Sequence, residues 1–217
     1  MRWLCACLVS ALAAVGAAPA AAEDDRAALL TADWPAIEAA AEGGEVNFFL
    51  WGGSDRINAY VSGYIADRLQ AEHAITLRRV GLSDTVEAVN IVLGEVEAGL
   101  DAGSVDLIWI NGENFRTMRQ GGLVWCGWVA RLPNNALVDW DNPAIAFDFG
   151  VPVDDCEAPW NRAQFAMAYD SAVLPEPPED MAALLDWIRA NPGRFTYPAP
   201  PDFNGSVFVR HVFTHVA

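Results

Sequence analysis

EVNFFLWGGSDRINAYVSGYIADRL, residues 45–69, changes its apolar period once, at the glycine pair Gly52-Gly53. Before the pair, Glu45 to Trp51 is an apolar run rich in β-formers, the pattern of a buried strand. After it, Ile57, Tyr60, Val61, Tyr64, Ile65 and Leu69 recur at helical spacing, with Ser54 or Asp55 placed to cap. The alternation continues downstream. Ile75 to Val80 predicts a second strand, and Asp84-x-x-Glu87 reads as a capping box before a helix carrying Val86, Val89, Leu93, Val96 and Leu100. Val105 to Ile110 predicts a third strand, followed by a short helix from Gly112 to Gln120. Strands and helices in strict alternation, joined by short connections, predict an α/β fold with a parallel sheet. Ligands of such sheets bind beyond the carboxyl ends of the strands. Two loops lie there, Trp51-Gly-Gly-Ser-Asp55 and Asn111-Gly-Glu-Asn114.

On the amino-terminal side, Leu29 to Ala41 reads as one helix around Trp34. Gly121 to Pro159 is less regular and carries Trp125, Trp128, Trp140 and two cysteines. Beyond it, Gln164 to Tyr169 predicts a strand, Glu179 to Asn191 a helix with Leu184, Leu185 and Ile188 inward, Phe195 to Pro198 a short strand, and Asn204 onward a helix.

The first residues have a different character. Arg2 precedes an apolar stretch from Leu4 to Val15, then the small residues of Ala17-Ala18-Pro19-Ala20-Ala21-Ala22, then Glu23-Asp24-Asp25. These are the three parts of a secretory signal peptide, with cleavage expected after Ala22 and Ala20 as the competing site. The apolar run is shorter than the roughly 20 residues of a bilayer span, and acids follow it directly. The expected division is a signal over 1–22, a first lobe over 23–162, and a crossing segment with an incomplete second lobe over 163–217. The expected location is the periplasm. Cys5 and Cys7 leave with the signal, so Cys126 and Cys156 are an even pair in an oxidising compartment, and a disulfide is the simplest reading.

The chain has 217 residues and a formal charge of -16, with Arg as every basic side chain. Such a surface repels nucleic acid and anionic lipid, and it favours a neutral or cationic solute where charge bears on the ligand at all.

Four stretches, VNFFLWGGSDRINAYV, GSVDLIWINGENFRTM, FGVPVDDCEAPWNRAQFAMAYDS and ANPGRFTYPAPPDFNGSVF, are similar to the Ynj-type periplasmic substrate-binding proteins of ABC importers. That group belongs with the family-1 extracellular solute-binding proteins. The resemblance runs from about Trp34 to the end of the chain. It implies a type II periplasmic-binding fold: two α/β lobes, crossing segments as a hinge, and closure on a small-molecule solute that is then delivered to an ABC permease in the inner membrane. It implies no cofactor, and the expected state is a monomer. Family members are longer, so the expectation is a truncated chain holding most of the first lobe and the start of the second.

Carried over position by position, the resemblance places Trp51, Gly52, Gly53 and Ser54 at the ligand, where glycines admit close backbone approach and a helix start offers free N–H donors. Asn111, Glu113 and Asn114 follow the third strand, where amides and a carboxylate can read a polar solute. Trp160 and Arg162 precede the crossing segment, and Asp202, Asn204 and Ser206 open the last helix. Trp51 and Trp160 with Glu113 and Asp202 would suit a cationic ligand. Each position has a plainer role open to it: Gly52-Gly53 as a turn, Asn111 and Asp202 as helix caps, Arg162 in an ion pair.

Other classes find less support. His211-x-x-x-His215 sets two imidazoles on one helix face, as zinc sites do, but the metalloprotease form needs Glu after the first His and Val212 stands there. No G-x-S-x-G elbow, phosphate loop or C-x-x-C follows the leader. A sensor or interaction module on the same fold remains an alternative, since fold and function separate readily.

Overall fold

The computed structural model describes residues 26–200 and 202–216, and the signal expected over 1–22 lies outside them. The chain divides into two compact units, one ending at Ala158 and the other starting at Pro159.

In the first unit, helical turns over 26–31 precede α1 (Trp34–Ala41). The single helix expected from Leu29 is therefore two. Asp33 breaks it: its carboxylate accepts the Ala36 N–H and starts a new helix, with Pro35 in the first turn, where its missing N–H costs nothing. β1 (Glu45–Trp51) leads into one helical rod made of α2 (Asp55–Ala59), a π-helical stretch (Tyr60–Ile65) and α3 (Ala66–His73). β2 (Thr76–Leu82) follows, slightly later than the sequence pattern placed it, then α4 (Val86–Glu97). The expected capping box is half formed: Glu87 accepts the Asp84 N–H, whereas the Asp84 carboxylate accepts the Val86 N–H rather than that of Glu87.

β3 keeps only Leu107–Ile108 of the longer strand expected from Val105 to Ile110. At its lower end the Asp106 carboxylate, rather than a backbone carbonyl, takes the Asn47 N–H, while the Asn47 amide donates to Ser104 O. Side chains thus replace the ladder there. At the upper end the Trp109 N–H still reaches Phe49 O, after which the chain turns into α5 (Gly112–Gln120).

The sheet is parallel, in the order β2-β1-β3, with Glu45 to Trp51 in register with Thr76 to Leu82, and Phe48-Phe49 beside Leu107-Ile108. Alternate residues of β1 explain why its apolar run is unbroken. Phe48 and Leu50 pack on one face with Val61, Ile57 and Ile65 of the long rod. Phe49 packs on the other with Leu82 and Ala88 of α4. Helices on opposite faces are what right-handed crossovers require when β2 and β3 flank β1.

After α5 come 3-10 turns at Val129–Arg131 and Pro133–Leu137, then α6 (Pro143–Ala146) and a small antiparallel pair, β4 (Phe147–Asp148) with β5 (Val151–Pro152). Cys126 and Cys156 are disulfide-bonded across this region.

The second unit contains α7 (Met181–Ala190), capped by Asp180, and α8 (Phe203–Val216). Leu184, Val207 and Phe208 are buried, and Phe195, Tyr197 and Phe208 form a ring cluster beside an apolar hollow of about 310 Å³. The strands expected over Gln164–Tyr169 and Phe195–Pro198 are not formed; both segments run without regular structure. A strand needs a neighbour's backbone, and no described residue pairs with either segment. Phe195–Pro198 instead serves as a surface for α8. A Cβ on Gly205 would stand 2.1 Å from Pro198 O. Gly205→Ala is therefore expected to force α8 off this segment and destabilise the second unit by about 3 kcal/mol, read as a fall in its melting transition. An unchanged transition would show the contact to be dispensable.

Candidate functional site

The strand order places a topological switch between β1 and β3. The chain leaving β1 enters the helical rod on one face, whereas the chain leaving β3 enters α5, which packs with α4 on the other. The two exits diverge at the carboxyl edge of the sheet, where open α/β sheets bind ligands.

One wall is Trp51 to Ser54. The Gly52 N–H donates to Leu82 O at 2.8 Å, and Gly52 O accepts from Asn58 Nδ2 at 2.8 Å. Gly53 lies beneath the Trp51 indole: a Cβ there would sit 2.1 Å from the ring, so glycine is what lets the indole fold across the loop. That indole is 45% exposed. Ser54 caps α2, its hydroxyl accepting the Ile57 N–H at 3.4 Å.

The other wall is Trp109 to Asn114. Trp109 O accepts from the Thr85 hydroxyl at 3.3 Å, which ties this loop to the start of α4. Asn111 precedes α5 in an extended conformation, but its side chain makes no capping bond. The half-buried amides of Asn111 and Asn114 make no hydrogen bond among the described residues, which leaves their donors and acceptors available. Glu113 is exposed. Gly112 has a positive φ of 63°, and a Cβ on it would meet the Phe149 ring at 3.6 Å. Its N–H donates to the Asp148 carboxylate of β4.

That last bond sets the electrostatics. A helix amino terminus attracts anions, and here the protein's own Asp148 takes the position. Behind it, Glu157 is largely buried. Burial, with the Asp148 carboxylate adding to it, pushes the Glu157 carboxyl up to about 8, and its Oε2 has no hydrogen-bond partner.

Asn58, Asp148 and Glu157 are functional candidates that sequence reasoning missed. Asn58 gave no signal beyond being a polar residue in the first turns of an apolar-faced helix. Asp148 lies 36 positions from the amide it binds, too far for a spacing rule to find.

The remaining expected residues belong to the second unit. Trp160 is 41% exposed, and Arg162 is exposed with no ion pair among the described residues. Asp202 accepts the Gly205 N–H at 3.1 Å and so caps α8; Asn204 is exposed and Ser206 half-buried. His211 stacks on Phe165 with ring centroids 5.5 Å apart, and His215 is exposed. Among the described residues no group of three or more His, Cys, Asp or Glu is placed to hold a metal ion. No described helix is long and apolar enough to cross a membrane.

Two comparisons bear on this geometry. Residues 64–212 match the family model described as bacterial extracellular solute-binding protein. The chain is also 41% identical over 181 residues to Protein YnjB of Escherichia coli (strain K12), an alignment covering 83% of this chain and 46% of that relative. The chain thus spans about half the length of the relative it matches.

Proposed function

The chain belongs to the bacterial extracellular solute-binding proteins, and on that premise we propose that it captures a small polar solute at the β1–β3 switch point for an ABC import system. The solute would pass to a permease in the inner membrane. The leader over residues 1–22 would deliver the chain to the periplasm, where the Cys126–Cys156 bridge is chemically at home.

The observation that carries the reading is the pairing of the two loops. An exposed indole stands on one, the unbonded amides of Asn111 and Asn114 on the other, and both end neighbouring parallel strands. An apolar ring face with a few amides is the usual make-up of a small-solute site. Binding and release perform no chemistry on the solute, so the proposal assigns no catalytic group.

The test is thermal unfolding against a panel of small polar solutes. A ligand at one hundred times its Kd stabilises the native state by about 2.7 kcal/mol. The proposal expects at least one solute to raise the melting temperature, and the rise to disappear in both Trp51→Ala and Asn114→Ala. A rise that survives both substitutions would place the site elsewhere.

A further inference from the structure

Among the described residues, Asn58 is the polar side chain of the rod that bonds the backbone of a site loop. Its Nδ2 donates to Gly52 O at 2.8 Å, while its Oδ1 is shielded from solvent and has no partner. An amide oxygen left unpaired in the interior costs about 1–3 kcal/mol, a cost that persists unless something repays it. The bond to Gly52 fixes the orientation of the amide, because only the NH₂ end can donate to a carbonyl. Oδ1 is thereby committed as an acceptor beside the glycine pair. Gly52-Gly53 is the segment of this wall with the greatest backbone freedom, so a shift of this loop is what would open a path to the shielded amide oxygen.

The opposite wall constrains the same solute. The α5 amino terminus is taken by the Asp148 carboxylate on the Gly112 N–H, so an anionic group arriving there meets like charge.

We infer that Asn58 is a solute-contacting residue, its Oδ1 accepting a hydrogen bond from an N–H- or O–H-bearing, non-anionic group of the solute. This rests on the switch-point reading above and adds to it both a residue and a chemical class. The site selects a donor, and it does so from the β1 side.

Methylguanidinium is the probe: it carries N–H donors only, is planar enough to lie on an indole, and is cationic. Inorganic phosphate is the opposing probe. Side-chain amide and backbone resonances of the ¹⁵N-labelled chain are followed during titration with each. The expected result is saturable shifts of the Asn58 side-chain amide and of Gly52 and Gly53 with methylguanidinium, and none at Gly112 to Asn114 with phosphate. Asn58→Leu is expected to weaken methylguanidinium binding at least about tenfold. Asn58→Asp, which loses the donor to Gly52 O but keeps an acceptor, is expected to bind methylguanidinium more tightly than Asn58→Leu does. A merely structural Asn58 would weaken in both variants alike, and that outcome overturns the inference. So does saturable phosphate binding at Gly112 to Asn114. Methylguanidinium shifts confined to Asn111 to Asn114 and unaffected by Asn58→Leu would refute the role of Asn58 and leave the switch-point site standing. Shifts absent from both loops would refute the site as well.

Discussion

Opening the Cys126–Cys156 bridge, by reduction or by the double variant Cys126→Ser/Cys156→Ser, is expected to lower the unfolding free energy by roughly 3–4 kcal/mol. The bridge closes a loop of 30 residues that has little other order: 3-10 turns, one short helix and a two-residue strand pair. Bonds that cross that loop near the bridge include Gly127 N–H to Asp155 O at 2.9 Å and Ala130 N–H to the Asp155 carboxylate. Without the cross-link, the unfolded chain regains the entropy of the loop and the native state has little helical or sheet structure to offset it. A denaturant titration with and without reductant measures the change. Coincident midpoints would mean that the loop is held by its packing alone. The same loop carries Asp148, so reduction is also expected to loosen the start of α5.

The second large effect is a dependence of stability on pH that runs through Glu157. Its carboxyl titrates near 4.5 when exposed, and burial beside Asp148 raises it to about 8 in the folded chain. Between those values the folded state keeps the proton and the unfolded state does not. Stability therefore falls as pH rises from about 4.5 to about 8, by up to about 1.4 kcal/mol per pH unit, and is flat with respect to this group below 4.5 and above 8. Glu157→Gln, which stays neutral, is expected to remove this fall and to be more stable than the parent at pH 8 by roughly 3 kcal/mol. Parallel melting curves for parent and variant across pH 5–8 would contradict the assignment.

What could be read in the sequence was local. β1 stood out because both of its faces are covered, so its apolar run has no polar interruption, and Gly52-Gly53 stopped it visibly. Ser54 and Glu87 cap within three or four residues of the groups they satisfy, and α5 began and ended where its pattern did. The site loops followed from the parallel sheet by a general rule rather than from any motif.

What could not be read was nonlocal. Gln164–Tyr169 has the residues of a strand, but a strand is a property of two segments, and composition is silent on the second. β3 was shortened by Asp106 reaching Asn47 across the sheet, a contact between residues 59 positions apart. Asp148 and Glu157 looked like two among many acids. Only the fold shows that one sits on a helix amino terminus and the other is largely buried near it. The composition pointed towards a neutral or cationic solute for the weaker reason of bulk charge; in the proposed site, the Asp148–Gly112 bond would act in the same direction.

The central claim, that a solute binds at the carboxyl edge between β1 and β3, is tested most directly by hydrogen–deuterium exchange of the chain with and without a stabilising solute from the thermal panel. The account predicts slowed exchange concentrated in peptides covering Trp51 to Asn58 and Trp109 to Asn114, with the far ends of β1 and β2 unchanged. Protection confined to the α7–α8 hollow, with both loops exchanging as before, would contradict it.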